Sequence, residues 1–351
     1  MTTSQPSLFN RPAALIAALP AVLGFVPEKS LVLVTLDRGE LGSVMRVDLS
    51  MPMTDTVAHF AEIAAAARPD AAIAVIVDAD GAHCPMCADD FRELAAELTD
   101  RLATQGISLI AAHVVDRVAP GGHWHCADGC GTGGAVDDPA ASPVTMAAVL
   151  DGRRLYTRRQ ELQDVVATHD AARCRRLAGL IVERLESDGG ARRPIGDDRA
   201  RREVERAIAV AGQVFDGGQL NDEELAELGC ALTDIRVRDT LYALAVSENA
   251  AQAEALWAAL ARALPEPWRV EPLVLLAFSA YVRGDGPLAG IALDAALRCD
   301  GEHRMAAMLD TALQSGLRPE QVSELATTGY RLAARLGVRL PRRRALGRRP
   351  C

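Results

Sequence analysis

The apolar period of this chain changes once, near residue 142, and that change divides what the chain can fold into. Before it, short apolar runs of strand length alternate with helical stretches and turn residues; after it, the spacing is helical and stays so. The pattern predicts an α/β domain followed by an all-α half, with a small mixed sheet and flanking helices in the first part. Residues 13–19 read as a short helix stopped by Pro20, and Pro27-Glu28-Lys29 as a turn. Runs 31–36 and 44–49 are β-rich and separated by the four-residue connection Asp37-Arg38-Gly39-Glu40. Thr54 opens an Ala-rich helix running to Ala67, and 71–77 is a continuous apolar strand. A loop with His83, Cys84 and Cys87 leads to a helix from Asp89 to Thr104, then a strand at 107–115. Apolar strand, helix, apolar strand predicts a parallel pair. The turn at 119–122 returns the chain to 123–126, and the Gly-, Asp- and Pro-rich stretch 127–142 has loop composition.

Beyond 142 helices are expected near 144–150, 157–167 and 171–187, then a polar break at 188–198, then helices at 199–215 and 222–231. Three helical hairpins can be drawn at 235–264, 268–299 and 302–336, a repeat of about 33 residues. The middle one is the clearest, with Gly284-Asp285-Gly286-Pro287 at its turn. This predicts an irregular tetratricopeptide-like array; the alternative is an irregular helical bundle. The expected domains are thus an α/β domain at 11–142, a helical connector at 143–198, a helical-hairpin domain at 199–338, and a disordered arginine-rich tail at 339–351.

Composition narrows the class. Hydrophobic residues make up 49% of the 351, yet aromatics only 4%, so the cores must be built from Ala, Leu and Val, which suits closely packed helices. The formal net charge of −9 argues against a nucleic-acid binder, which needs a basic face. No apolar run reaches the roughly 18 residues of a membrane span. Segment 13–26 lacks the charged flank and cleavage site of a signal peptide, so a cytoplasmic protein with reduced cysteines is expected.

Cysteine and histidine clustering is the sharpest local signal. His83-Cys84-Pro85-Met86-Cys87 holds a Cys-x-x-Cys, and His123-Trp124-His125-Cys126-Ala127-Asp128-Gly129-Cys130 adds a Cys-x-x-x-Cys. Zinc takes four N or S donors in a tetrahedron, and one loop can supply two of them at such spacings. Cys84, Cys87, Cys126 and Cys130 are therefore the candidate zinc ligands, with His83, His123 or His125 as substitutes. Reactive thiols and plain half-buried cysteines remain the other readings. For the redox reading, Asp89 and Asp90 are expected to raise the thiol pKa. Cys174, Cys230 and Cys299 fall in predicted helices without partners, and Cys351 ends the tail.

Asp78 and Asp80 close a predicted strand, where α/β proteins often bind ligands, although turn and capping roles are commoner for such residues. No phosphate-binding glycine loop accompanies them, and no cofactor is assigned to the glycines at 129–134. Trp257 and Trp268 read as core packing.

The run Leu15-Ile16-Ala17-Ala18-Leu19-Pro20, Leu23-Gly24-Phe25-Val26-Pro27-Glu28-Lys29-Ser30-Leu31-Val32 and Arg46-Val47-Asp48-Leu49 resembles the opening of the domain of unknown function 4192 family. Trp124, Cys126, Cys130 and Asp138-Pro139 are similar to its middle, and Leu275–Phe278 with Arg283–Gly286 to its C-terminal region. Members often carry a Cys-Cys-Pro step; here the second cysteine sits in Gly129-Cys130-Gly131. The resemblance implies a protein of high-GC Gram-positive bacteria and brings no activity with it. Function must then be read from the residues. The leading expectation is a non-catalytic binding or scaffold protein that meets a protein partner through its helical half. The alternative is an enzyme or ligand sensor with a site near Asp78, Asp80, His83 and His123, zinc-dependent if the cysteines hold metal.

Overall fold

Ala71–Val77 (β3) is apolar at every position and almost wholly buried, which makes it the centre of a sheet rather than an edge. The computed structural model describes residues 11–50, 53–66, 68–150, 152–168, 170–187 and 196–344. β1 (Ser30–Asp37) and β2 (Glu40–Asp48) form the expected hairpin, but its turn is two residues long. Asp37 pairs with Glu40, while Arg38 and Gly39 take φ of 51° and 79°, the left-handed pair of a tight hairpin turn. β1 runs antiparallel to β3, and β3 runs parallel to β4 (Ser108–Val115), as the strand–helix–strand pattern predicted. β5 (His123–Cys126) and β6 (Gly133–Ala135) complete a six-stranded mixed sheet of order β2-β1-β3-β4-β5-β6. β6 was not expected. Its glycine-rich sequence reads as loop, and tolerance for it comes from its place at the sheet edge.

α1 (Pro12–Leu23) carries Pro20 inside it instead of stopping there, and ends at Gly24. Proline removes one backbone bond, but burial of Ile16, Leu19 and Leu23 holds the last turn on the core. α2 (Thr54–Ala65) and α3 (Pro85–Thr104) cover one sheet face, where Val57, Phe60, Phe91, Leu94 and Leu98 meet Leu31, Leu33, Ala74, Ile76 and Val114. α3 starts four residues before the expected Asp89, because Pro85 fits the first helical position. α4 (Pro143–Leu150) packs on α1, and Tyr156 pairs with Phe25. The first compact unit therefore continues through Glu161, beyond the boundary expected at 142, and also includes Gln314–Gly316. A short helix α5 (Arg159–Gln163) spans the boundary with the second unit, which begins at Leu162.

In the second unit, α6 (Ala171–Ser187), α7 (Asp197–Phe215), α8 (Asp222–Ala231) and α9 (Ile235–Leu241) lead through a 3-10 turn at Tyr242–Val246 to α10 (Ala250–Ala263). α11 (Val270–Arg283) and α12 (Gly286–Cys299) are the middle hairpin, close to where the spacing put it. α11 is buried on nearly every face; its Phe278 and Trp257 of α10 are among the largest fully buried side chains. α13 (Arg304–Gln314), α14 (Pro319–Val322) and α15 (Leu325–Leu336) follow. α15 returns to pack on α9 and the 3-10 turn, a contact that a linear stack of hairpins does not make. Gly329 permits it: a Cβ there would lie 2.8 Å from the Thr240 carbonyl oxygen and 2.9 Å from Ala243 Cβ.

The polar break expected at 188–198 lies mostly outside the described residues, as do 345–351 of the expected loose tail. The rest of that tail is tied down. Arg344 N–H donates to the Val246 carbonyl at 2.8 Å, and the Arg342 carbonyl accepts from Glu248 N–H at 2.9 Å. No helix among the described residues is long and apolar enough to cross a membrane.

Candidate functional site

The C-terminal ends of the parallel pair β3–β4 share one edge of the sheet, and most of the residues singled out from the sequence gather there. Asp116, the first residue after β4, is 6% exposed and organises this edge. Its Oδ1 accepts from Arg117 N–H at 2.6 Å and His123 N–H at 2.8 Å, while Oδ2 sits 3.5 Å from His83 Nε2. Burial opposes its ionisation, but the His123 and Arg117 amides prevail and hold the carboxyl below its ordinary range. His83 and His123 thus reach one carboxylate, through a side chain and a backbone amide respectively. Asp78 Oδ1 accepts from Asp80 N–H at 3.2 Å, a turn bond, and Asp80 Oδ2 lies 3.7 Å from Lys29 Nζ, the chain's only lysine. That pair is well exposed.

Cys84 and Cys87 sit at the start of α3 rather than in a loop. Cys84 is the residue before the first turn, whose Cys87 backbone N–H has no helical carbonyl to bond. That amide, with the Cys87 thiol and the Met86 amide, lowers the Cys84 pKa and outweighs Asp90, contrary to the expectation that nearby aspartates would raise it. Cys87 is shifted upward, chiefly by its side-chain hydrogen bond with the Cys84 thiol and by burial.

Cys126 and Cys130 form a second pair. Their sulfurs and an Asp128 carboxylate oxygen all lie within 4.8 Å of one another, the one such three-donor group of cysteine, histidine and carboxylate side chains among the described residues. Burial and the hydrogen bond with Cys130 push the Cys126 thiol up to about 11. Cys130 N–H donates to Asp128 Oδ1 at 3.0 Å, which shapes the turn and lowers the Asp128 pKa. The four candidate cysteines therefore fall into two pairs. His125 is half-buried, with its pKa lowered by burial and by His83, and it does not enter the three-donor group. Cys174, Cys230 and Cys299 lie in helices, where their sulfurs approach the Ala263 carbonyl, the Ile181 carbonyl and Glu266 Oε1.

Three residues at these places were not singled out from the sequence: Asp116, Asp128 as a donor, and His113. His113 is 4% exposed, and its Nδ1 lies 3.9 Å from Cys126 Sγ. Its only sequence signal was a histidine inside the apolar run Ala111-Ala112-His113-Val114-Val115.

No curated protein and no solved structure matches the chain. A family model does, over residues 12–320, which takes in the sheet, both cysteine pairs and most of the helical unit. The chain belongs to the domain of unknown function family DUF4192.

Proposed function

We propose that this DUF4192 protein is a non-catalytic binding protein of the bacterial cytoplasm, whose helical unit grips a short apolar segment of a protein partner. One observation carries the reading. An open cleft of about 480 Å³ in the helical unit is lined by Val214, Gly217, Leu220, Leu225, Ala259 and Ala263, together with the polar side chains of Asp170, Arg173, Gln219 and Arg262. Arg173 is held there by Asp222 at 2.7 Å and by the Leu220 carbonyl at 3.0 Å, so the wall is braced before any partner arrives. Phe215, the last residue of α7 and next to the lining residue Val214, is 53% exposed, an uncommon use of one of only six phenylalanines. A reducing compartment suits a chain whose described cysteines are free thiols.

A photo-crosslinking side chain placed at Gln219, on the cleft wall, tests this in the native cell. The same group at Arg201, exposed on α7, is the control. One protein adduct at Gln219 that disappears in Ala259→Asp, with none at Arg201, supports the reading; equal labelling at both sites sinks it.

The second reading, a ligand site at the strand ends, is favoured by the convergence of His83 and His123 on Asp116. A small molecule bound there would be displaced by Asp116→Asn and untouched by Ala259→Asp.

A further inference from the structure

The Cys87 and Cys126 side chains lie on opposite faces of the sheet, and that decides which donors can meet one ion. Directly opposed residues of an antiparallel pair point to the same side. Cys126 is opposite His113 and Trp124 is opposite Val115, so these four share one face. Val114 and its partner His125 share the other. Cys87, on α3, packs against the cluster containing Val114, Ala112 and Ala127, on that second face. The sheet thus stands between Cys87 and the Cys126 sulfur.

On the Cys126 face the donor that does approach is His113. The residue is 4% exposed, its ring stands edge-on to Trp124 with centroids 5.1 Å apart, and its Nδ1 lies 3.9 Å from the Cys126 sulfur. A buried imidazole aimed at a thiol that itself belongs to a Cys/Asp/Cys group is a metal-ligand arrangement in donor type. We propose that Cys126, Asp128, Cys130 and His113 form a zinc site that ties the β5–β6 turn to strand β4, and that Cys84 and Cys87 take no part in it.

The dimensions fit. Bonds of about 2.3 Å to sulfur and about 2.0 Å to nitrogen give a tetrahedral S···N edge of roughly 3.6 Å. The Cys126–His113 separation is 3.9 Å, so that edge is nearly formed. Asp128 and Cys130 sit on an exposed turn, within 4.8 Å of the Cys126 sulfur, so closing the shell around His113 moves the turn and leaves the sheet in place. His113 meets the group through Cys126, and this closure brings the turn to the imidazole. Two thiolates, one carboxylate and one imidazole leave no position for a reacting water, so the ion is structural. Binding releases the two thiol protons to solvent.

The test uses the full-length chain, reduced and then loaded with zinc or cobalt(II). Metal analysis of the wild type should give one ion per chain, and the cobalt form should show charge-transfer absorption of two thiolates. Cys84→Ser with Cys87→Ser should keep both values. Cys126→Ser with Cys130→Ser should bind nothing. Asp128→Asn, on an exposed turn where folding is not at stake, and His113→Gln should each weaken zinc by at least about tenfold. Circular dichroism of the unloaded variants separates lost ligand from lost fold. Loss of the ion in the Cys84/Cys87 variant, absorption of four thiolates, or no binding by the wild type overturns the site. Unchanged affinity in Asp128→Asn or in a folded His113→Gln overturns the ligand set.

Discussion

Arg238 Nη1 donates to Glu271 Oε1 at 2.8 Å, and His303 Nε2 stands 3.5 Å from the same oxygen. The contact joins α9 to the start of α11 and places a charged pair, about one-fifth exposed on each side, at the base of the most buried helix. Burial works against ionised Glu271, while His303 and Arg238 favour it, and the net shift is downward. The unfolded chain therefore takes up a proton near the ordinary value of 4.5 before the folded chain does. Stability from this carboxylate is present above that pH and drains away as pH falls through the lower folded value. Glu271→Gln should cost about 2 kcal/mol at neutral pH, because it leaves Arg238 with only Asp239. Its acid-side loss of stability below pH 4.5 should be shallower than that of the wild type. Urea melts at pH 7 and pH 4 check both statements, and parallel acid profiles would contradict the second.

Thiol reactivity should rank by local backbone, not by exposure alone. With metal removed by chelator, iodoacetamide at neutral pH should label Cys84 well before Cys126 or Cys299. The first has its thiolate favoured by amides at the start of α3, and the other two are pushed up to about 11 by burial. Peptide mapping over time reads the order directly.

Close approach at α15 gives a third expectation. Gly329→Ala inserts a methyl group against the Thr240 carbonyl, 2.8 Å away, and Ala243 Cβ, 2.9 Å away. Backbone cannot rotate out of the way, so the helix must lift, at a cost of about 1–3 kcal/mol. Thermal unfolding should show this loss, whereas Gly179→Ala, whose Cβ position is open within 4 Å, should be neutral or slightly stabilising.

How far the sequence foretold this molecule depends on whether the cause was local. β3 and the helices 171–187 and 222–231 were legible because period and composition act within one segment. The middle hairpin was legible because Gly284 and Pro287 punctuate it. The hidden parts are those set by distant partners. Burial of α1 on the core overrides Pro20, and the neighbouring strand β5 makes a strand of the glycines in β6. The return of α15 onto α9 is a contact between segments far apart in sequence, which no repeat spacing encodes.

The candidate site shows the same division. The cysteine spacings singled out two loops, and within the second of them the Cys126 and Cys130 sulfurs come within 4.8 Å of each other. What spacing could not supply was the face each loop presents. That follows from the His113–Cys126 register, which exists only once β5 pairs with β4. Asp116 was missed for the same reason, since its partners arrive from the loop before α3 and from β5.

The turn between α11 and α12 uses its two glycines differently. Gly284 ends α11 with φ of 82° and donates its N–H to the Tyr281 carbonyl at 2.8 Å, a conformation that a β-branched residue resists. Gly286 opens α12, is not among the positive-φ residues, and a Cβ there meets Leu313 Cδ1 at an ordinary 3.8 Å. Asp285 between them is 5% exposed, caps α12 through Leu288 N–H at 3.2 Å and accepts from Arg283 Nη2 at 3.1 Å, so the turn cannot relax by swinging this residue out. Gly284→Val should therefore cost about 2 kcal/mol or more, and Gly286→Ala close to nothing. Limited proteolysis reads where the strain goes. Because the chain divides into two compact units, Gly284→Val should speed cleavage within the unit that begins at Leu162 while the β-sheet unit stays resistant. Equal sensitivity of Gly284→Val and Gly286→Ala would show that backbone conformation at Gly284 is not what holds this turn, and cleavage spreading at once through the sheet would show that the two units unfold as one.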